Sequence, residues 1–442
     1  MLGILDAVAG ELLLFAACGF LLFAIDDFLV DMIWLGTRFR KSPLDLRTTA
    51  KRAGRLAVFV PAWQEASVIS EMVNRCVSVW PDQVATLFIG TYPNDPDTRY
   101  ALAPHISESV RVVVLDHDGP TTKADCLNGL WSAMKAFEEK ADTQFAGIVL
   151  HDAEDQVHPN ELTLFQSYLD EFDLIQIPVI PDIDRRSRWV SGHYLDEFAE
   201  AHQKELLVRQ WVGASLPSAG TGCAVSRAAL GALAEQRNGR PFDAESLTED
   251  YELGLRLAEL GFKSRFVREV SSETRDVIAV HSHFPPTLRT SVRQKTRWVI
   301  GIALAGWDRT GWRGGLAEHW MRWRDRRSIL AALLILAAYL GLAASIPALA
   351  RGVMPAASPP LPHILAAHAV FLAWRLTMRV GFTSAQYGLG EGLRAAPRSL
   401  VSNLVSVMAS VRAVVGYCRM LRSGVTLWDK TEHQPPDKSS LP

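Results

Sequence analysis

The stretch Phe145-Ala146-Gly147-Ile148-Val149-Leu150-His151-Asp152-Ala153-Glu154-Asp155 decides the fold. Phe145 to Leu150 reads as a short buried strand that runs straight into an acidic cluster. Three similar apolar runs precede it: Leu56 to Val60 ending at Pro61, Thr86 to Gly90, and Val110 to Leu115. Helical periodicity fills the gaps, from Ser67 to Val79 and from Lys123 to Glu139. Short apolar strands alternating with helices predict an α/β domain with a Rossmann-like, doubly wound, mostly parallel sheet. Such sheets bind ligands beyond the carboxyl ends of their strands. Glu65, Asn94, Asp95 and Asp152 all fall just after predicted strands, so they gather on one edge.

The acidic cluster suggests a hard cation. Alternate carboxylates on an extended segment, Asp152 and Glu154 with Asp155, can bracket Mg²⁺ or Mn²⁺, which prefer oxygen ligands and share substrate phosphates. A solvated acidic turn is the plain alternative. Two further motifs follow in order. Thr248-Glu249-Asp250 opens a helix stopped by Gly261, and Ser246 with Glu249 has capping-box spacing. Acids there stabilise a helix dipole, and Asp250 can equally serve as a general base. Gln294, Arg297 and Trp298 share one helical face. Trp stacks on sugar rings, Gln bonds hydroxyls and Arg grips phosphate oxygens; an amphipathic helix at a membrane surface has the same composition. Between them, Ser218-Ala-Gly220-Thr221-Gly222-Cys223 permits close backbone approach to a ligand, or is an ordinary turn.

The chain has 442 residues and a formal net charge of −2. No strongly basic surface argues for nucleic acid. The five cysteines are scattered, without Cys-x-x-Cys pairs, so neither a zinc site nor a disulfide framework is expected. Three apolar stretches, near 9–35, 329–350 and 361–382, reach the roughly 20 residues that cross a bilayer. The first has no basic leader and no small-residue cleavage site, so it reads as a membrane helix. Arg38, Arg40, Lys41, Arg47, Lys51 and Arg52 follow it, and Arg322, Arg324, Arg326 and Arg327 precede the second. The positive-inside rule puts both flanks in the cytoplasm. The expected organisation is a membrane helix at 1–36, a cytoplasmic domain at 37–327, two membrane helices at 328–383, and an interfacial helix with a cytoplasmic tail at 384–442. Residues 397–422 carry Asn403, Arg412 and Arg419, and burying Arg412 in a bilayer is costly, hence the interfacial assignment. Asp26, Asp27 and Asp31 are expected to pair with Arg375 or Arg379, or to lie among headgroups.

The ordered set resembles the processive-type family 2 glycosyltransferases that include cellulose and hyaluronan synthases. The resemblance is carried by Pro61-Ala-Trp-Gln-Glu65, Lys123-Ala-Asp125 with Asn128, Asp152-Ala-Glu154, Gly220-Thr-Gly222, Thr248-Glu-Asp250 and Gln294-x-x-Arg297-Trp298. Gly90-Thr-Tyr-Pro-Asn-Asp95, the His151 to Asp155 run and the tail Trp428 to His433 are similar to a narrower bacterial branch, the phage-adsorption protein B group. The resemblance implies a GT-A fold, a UDP- or GDP-linked sugar donor, a divalent metal and inversion at the anomeric carbon. By position, Pro61, Glu65, Asn94, Asp95, Lys123, Asp125 and Asp152 bind the donor. Asp152, Glu154 and Asp155 hold the metal. Asp250, with Glu249, is catalytic. Gly220, Thr221, Gly222, Gln294, Arg297 and Trp298 line the acceptor and diphosphate site.

What this implies is an enzyme of the bacterial inner membrane, among membrane lipids. It adds a sugar to a glycan or lipid-linked acceptor, for a cell-surface polysaccharide used as a phage receptor, and an export or outer-membrane partner stays open. Two other readings remain: one-step transfer to a polyprenyl phosphate, and a non-catalytic receptor or assembly subunit that keeps the fold. The sequence departs from the wider family in three places. Tyr92 to Asp95 stands where an Asp pair is usual, Glu154 replaces a second Asp, and His281 and His283 precede Phe284-Pro285 where an acid is expected.

Overall fold

A computed structural model of the chain describes residues 2–37, 54–352 and 360–423. The basic run from Arg38 to Arg52 and the tail from Trp428 to His433 lie outside the described residues.

Among the described residues, nine strands form two sheets. They are β1 (Leu56–Pro61), β2 (Ala85–Thr91), β3 (Val110–Val114), β4 (Gly147–Leu150), β5 (Leu174–Gln176), β6 (Val179–Pro181), β7 (Cys223–Ser226), β8 (Ser264–Phe266) and β9 (Val280–Ser282). The main sheet has the order β3-β2-β1-β4-β7-β5-β8, and β6 pairs with β9 alone. β1, β2 and β4 are apolar and buried along their length because helices cover both faces. Helix Ile69–Val79 packs its Ile69, Met72, Val73 and Cys76 on one face, and helix Lys123–Ala141 packs Leu127, Leu130, Trp131 and Met134 on the other. The sequence pattern foretold these elements and the mostly parallel sheet.

Register then positions the loops. β1 pairs in parallel with β2 and β4, matching Pro61 to Gly90 and Phe59 to Leu150. The segments that follow all three strands therefore leave the same edge. β7 runs antiparallel to β4, with Leu150 opposite Cys223. Chain reversal puts the segment before β7, Gly220 to Gly222, beside the segment after β4, His151 to Asp155. Helix Glu249–Glu259 reaches the same edge because Gly254 lets it press on the Leu216–Pro217 backbone: a Cβ there would lie 2.0 Å from the Leu216 carbonyl oxygen.

Among the described residues, four helices are long and apolar enough to cross a membrane: Leu5–Thr37, Ser328–Ala350, Leu361–Tyr387 and Leu389–Ser423. The sequence count was three. The fourth continues through Pro397 and Arg412 as one helix of 35 residues. Its first part rests on the α/β domain, where fully buried Arg398 meets Asp196 at 2.7 Å and Glu391 at 2.8 Å. The acids of the first helix also dock this domain. Asp31 takes Lys204 at 2.6 Å, and Asp27 takes Arg327 at 2.5 Å and Arg324 at 3.1 Å. Arg375 pairs with Asp27 as expected, whereas Arg379 faces Glu200 at 3.6 Å.

Gly254→Ala is expected to force this helix off Leu216. The overpacking should cost about 1–3 kcal/mol, read as a lower thermal midpoint for the protein in nanodiscs. An unchanged midpoint would contradict the close approach.

Candidate active site

The carboxyl edge of the sheet opens into a cleft of about 1210 Å³. Pro61, Glu65, Lys123, Asp152, Glu154, Asp155, Thr221, Glu249, Asp250, Gln294, Arg297 and Trp298 line it. The remaining sequence-predicted residues, Asn94, Asp95, Asp125, Gly220 and Gly222, are outside this lining.

Lys123 is the centre. It begins helix Lys123–Ala141, whose Thr122 cap accepts from Asp125 N–H at 3.2 Å. Its ammonium lies 2.5 Å from Asp152 Oδ1 and donates to the Gly220 carbonyl at 2.9 Å. Burial opposes the charge, but Asp152, Glu249 and Asp250 outweigh it and hold the Lys123 pKa above its ordinary value. The same group of charges acts on the acids. Burial, then the neighbouring Asp250 charge, pushes Glu249 up to about 7, with Lys123 opposing. Burial and Asp152 likewise raise Asp250, again against Lys123. An acid whose pKa lies near neutrality suits proton transfer.

Gly220 sets the position of Asp250. It has φ +76°, and a Cβ on it would fall 2.5 Å from Asp250 Oδ2. The other carboxylate oxygen accepts from Tyr251 N–H at 2.7 Å. The expected capping box at Ser246 does not form. Thr248 is the cap residue, without a side-chain cap bond, and Ser246 Oγ donates to Glu252 at 2.7 Å instead. Glu249 is thereby released from capping and joins the cleft wall.

Asp155 departs from its expected role as a metal ligand. It is 1% exposed, and its Oδ2 accepts from Asp152 N–H at 2.8 Å and from the Thr221 hydroxyl, 3.0 Å from His151 Nδ1. His151 meets Glu161 at 2.7 Å on its other nitrogen. Burial disfavours the imidazolium, yet Glu161 and Asp155 push its pKa up to about 10. The Glu161, His151, Asp155 and Thr221 chain ties the acidic turn to the Gly220 loop, with Asp155 held at the cleft wall beside Asp152 and Glu154. Among the described residues, no three His, Cys, Asp or Glu side chains converge as a metal cage. A Mg²⁺-type ion keeps several waters and needs only one or two carboxylates beside substrate phosphates, so Asp152 and Glu154 fit that mode of binding.

At the other end, Trp63 meets Tyr92 edge-on at 5.2 Å. Asn94 does not face the cleft: its amide forms two bonds to the Gly119 backbone, at 2.6 and 2.9 Å. Asp95 caps helix Pro96–Leu102 and accepts from Gln64 N–H at 2.6 Å. Asp125 is engaged by His117 at 2.7 Å. An acid reaches this segment from the residue after β6, as Asp182 meets His281 at 2.9 Å.

Helix Leu288–Trp298 starts at a capping box of Thr287 and Thr290. Lys295, inside the Gln-x-x-Arg-Trp motif, bonds both oxygens of Glu197 at 2.6 Å, and Ser402 of the fourth long helix donates to Glu197 at 2.7 Å. Sequence reasoning also missed Gln176. Its amide donates to the Thr221 and Gly222 carbonyls at 2.9 and 3.0 Å and accepts from Ala219 N–H at 2.8 Å. A lone amide in the apolar run Leu174 to Ile177 was the signal.

A doubly wound edge carrying an acidic turn, a central lysine and an acid-opened helix is the architecture of the GT-A fold. Residues 147–384 match the family model described as glycosyl transferase family group 2, and the chain belongs to that family. It is 35% identical over 93% of its length to bacteriophage adsorption protein B of Escherichia coli strain K12, and equally to bacteriophage N4 adsorption protein B of Escherichia coli O157:H7. The chain spans 60% of the length of these relatives. Its fold is similar to that of mannosyltransferase PcManGT from Pyrobaculum calidifontis, solved with GDP-Man and Mn²⁺. The TM-score is 0.54 at 17% identity, covering 93% of this chain and 99% of that one.

Two outcomes are expected. The acid limb of the transfer-rate profile should lie above the ordinary range of an aspartate, because Asp250 must ionise and burial with Asp152 raises its pKa. Glu249→Gln removes a like charge and should move the limb down, and Lys123→Met removes the counter-charge and should move it up. A limb unmoved by both changes would contradict the coupling. Separately, Asp155→Asn breaks a buried charged network and should cost about 3–5 kcal/mol, measured by thermal unfolding. Unfolding at the wild-type midpoint would return Asp155 to the role of an exposed ligand.

Proposed function

We propose that the protein is a metal-dependent, inverting glycosyltransferase of a bacterial inner membrane, with its cleft facing the cytoplasm. It takes a nucleotide sugar and extends a glycan or lipid-linked acceptor for a cell-surface polysaccharide. One observation carries this reading: the Lys123 ammonium lies within the field of Asp152, Glu249 and Asp250, so the donor-side acid and the candidate base share one electrostatic centre. The phage-adsorption relatives support a surface glycan as product, and the four apolar helices support a membrane location.

The reaction is a single displacement. Asp250 takes the proton of the acceptor hydroxyl as that oxygen bonds to the anomeric carbon. The bond from that carbon to the diphosphate breaks on the opposite face, and the nucleoside diphosphate leaves with the electron pair. Lys123 and Arg297 offer cationic donors to the phosphate oxygens. Asp152 and Glu154 would hold a divalent ion, which supplies Lewis-acid neutralisation of the leaving diphosphate.

Asp250→Asn is expected to lower sugar transfer by about 10²–10⁴-fold while calorimetry still detects donor binding. Wild-type turnover by this variant in a radiolabelled-sugar assay would remove Asp250 as base. Chelation should abolish transfer and Mg²⁺ or Mn²⁺ should restore it, and transfer persisting in chelator would remove the metal.

A further inference from the structure

The cleft has an aromatic end that none of the sequence motifs describes beyond Trp298. Phe198, His202, Phe284 and Trp298 line it. The Phe198 ring lies 4.8 Å from Phe284, 5.2 Å from His202 and 6.5 Å from Trp298, centroid to centroid.

His202 is unusual within this wall. It belongs to a π-helical segment, Ala201–Glu205, and such single-turn segments occur frequently at functional sites. The residue is 8% exposed. Its Nδ1 accepts from Val179 N–H at 2.8 Å, which fixes the tautomer and places the ring proton on Nε2. Nε2 has no hydrogen-bond partner among the described residues, and it is not among the polar atoms closed off from solvent. The ring lines the cleft. Burial is the main influence on its pKa, helped by the Arg268 charge and opposed by the Val179 contact, and it brings the imidazole down to about 4. The donor is therefore neutral at physiological pH. In the same cleft, Gln294 Oε1 is a buried acceptor without a partner among the described residues.

A neutral donor and a neutral acceptor beside aromatic rings match the surface of a saccharide, whose hydroxyls both give and accept and whose ring faces are apolar. A phosphate group selects cationic donors instead. We propose that His202 reads the acceptor sugar, with Nε2–H donating to one of its oxygens while Phe198, Phe284 and Trp298 hold the ring. This rests on the sugar-transfer reading above.

Two substitutions separate binding from support. In His202→Asn the side chain keeps an acceptor near the Nδ1 position for Val179 N–H and loses the cleft donor. In His202→Gln it keeps an N–H near the Nε2 position and loses the Val179 contact. The full chain in nanodiscs is given UDP- and GDP-sugars, with neutral gluco-, manno- and N-acetylglucosamino-trisaccharides as primers or with polyprenyl phosphate. Released nucleoside diphosphate and product mass are measured. A trisaccharide should stimulate release and be extended. His202→Asn should raise its half-saturating concentration about tenfold, with a smaller effect on donor half-saturation, and His202→Gln should stay within about threefold of wild type. The reverse order, with Gln impaired and Asn normal, would make His202 a support for β6 and overturn the proposal. Stimulation by polyprenyl phosphate alone would overturn it too. Absence of release with every donor would instead overturn the sugar-transfer reading, and this inference with it.

Discussion

The ammonium of Lys123 among the carboxylates of Asp152, Glu249 and Asp250 is the contact on which the rest of the site depends. Glu249 and Asp250 are adjacent and buried, so burial and neighbouring negative charge resist their ionisation. One cation lets them coexist and leaves both with raised pKa values. The same ammonium bonds the Gly220 carbonyl, and Gly220 lacks the Cβ that would exclude Asp250. Segments that follow β4 and precede β7 are thus joined at one atom, and the acids that open the Glu249–Glu259 helix lie within its field. Coupling of this kind makes the site sensitive to charge changes well away from the reacting bond.

A second layer of buried polar contacts holds that arrangement. His151 between Asp155 and Glu161 stiffens the acidic turn, and Gln176 holds the Gly220 loop from behind. Lys295 and Glu197 fix the helix that carries Gln294, Arg297 and Trp298, and Ser402 connects this pair to the fourth long helix. These groups bond one another and the backbone within the protein. Such networks rigidify when satisfied and are costly when broken. The fourth long helix therefore contributes to the geometry of the cleft.

Much of this was legible from local pattern. β1, β2 and β4 are apolar runs with turn residues at their ends, so strand type and the ligand-binding edge could be read directly. Lys123, Asp152 and Asp250 could be named because they follow strands or open helices. Asp155, Asn94 and Asp95 bond the backbone beside the cleft, because a carboxylate or amide after a strand can face a ligand or turn back to satisfy backbone N–H groups, and spacing does not distinguish the two. Glu249 had capping spacing, yet Ser246 found Glu252 instead. His202 was invisible because its function depends on a π-helical phase shift and on a backbone donor 23 positions away in sequence. The fourth long helix was placed at the interface because Arg412 argued against crossing, and no pattern revealed that Arg398 meets Asp196.

The salt bridges between Asp26, Asp27 and Asp31 and their partners Lys204, Arg324 and Arg327 bear on how the α/β domain can be handled. These acids belong to the first helix, and the cations belong to the domain or to the segment leading into the second helix. A fragment cut after the first helix keeps the cations and discards their counter-ions. Lys204 is 3% exposed, and without Asp31 it would keep only Glu200 as a close carboxylate partner. Removing one partner of a buried ion pair typically costs about 3–5 kcal/mol, a large share of the stability of an ordinary domain. Soluble expression of the α/β part is thus a problem of charge balance before it is one of exposed apolar surface, and supplying the first helix as a separate peptide is the physically motivated remedy.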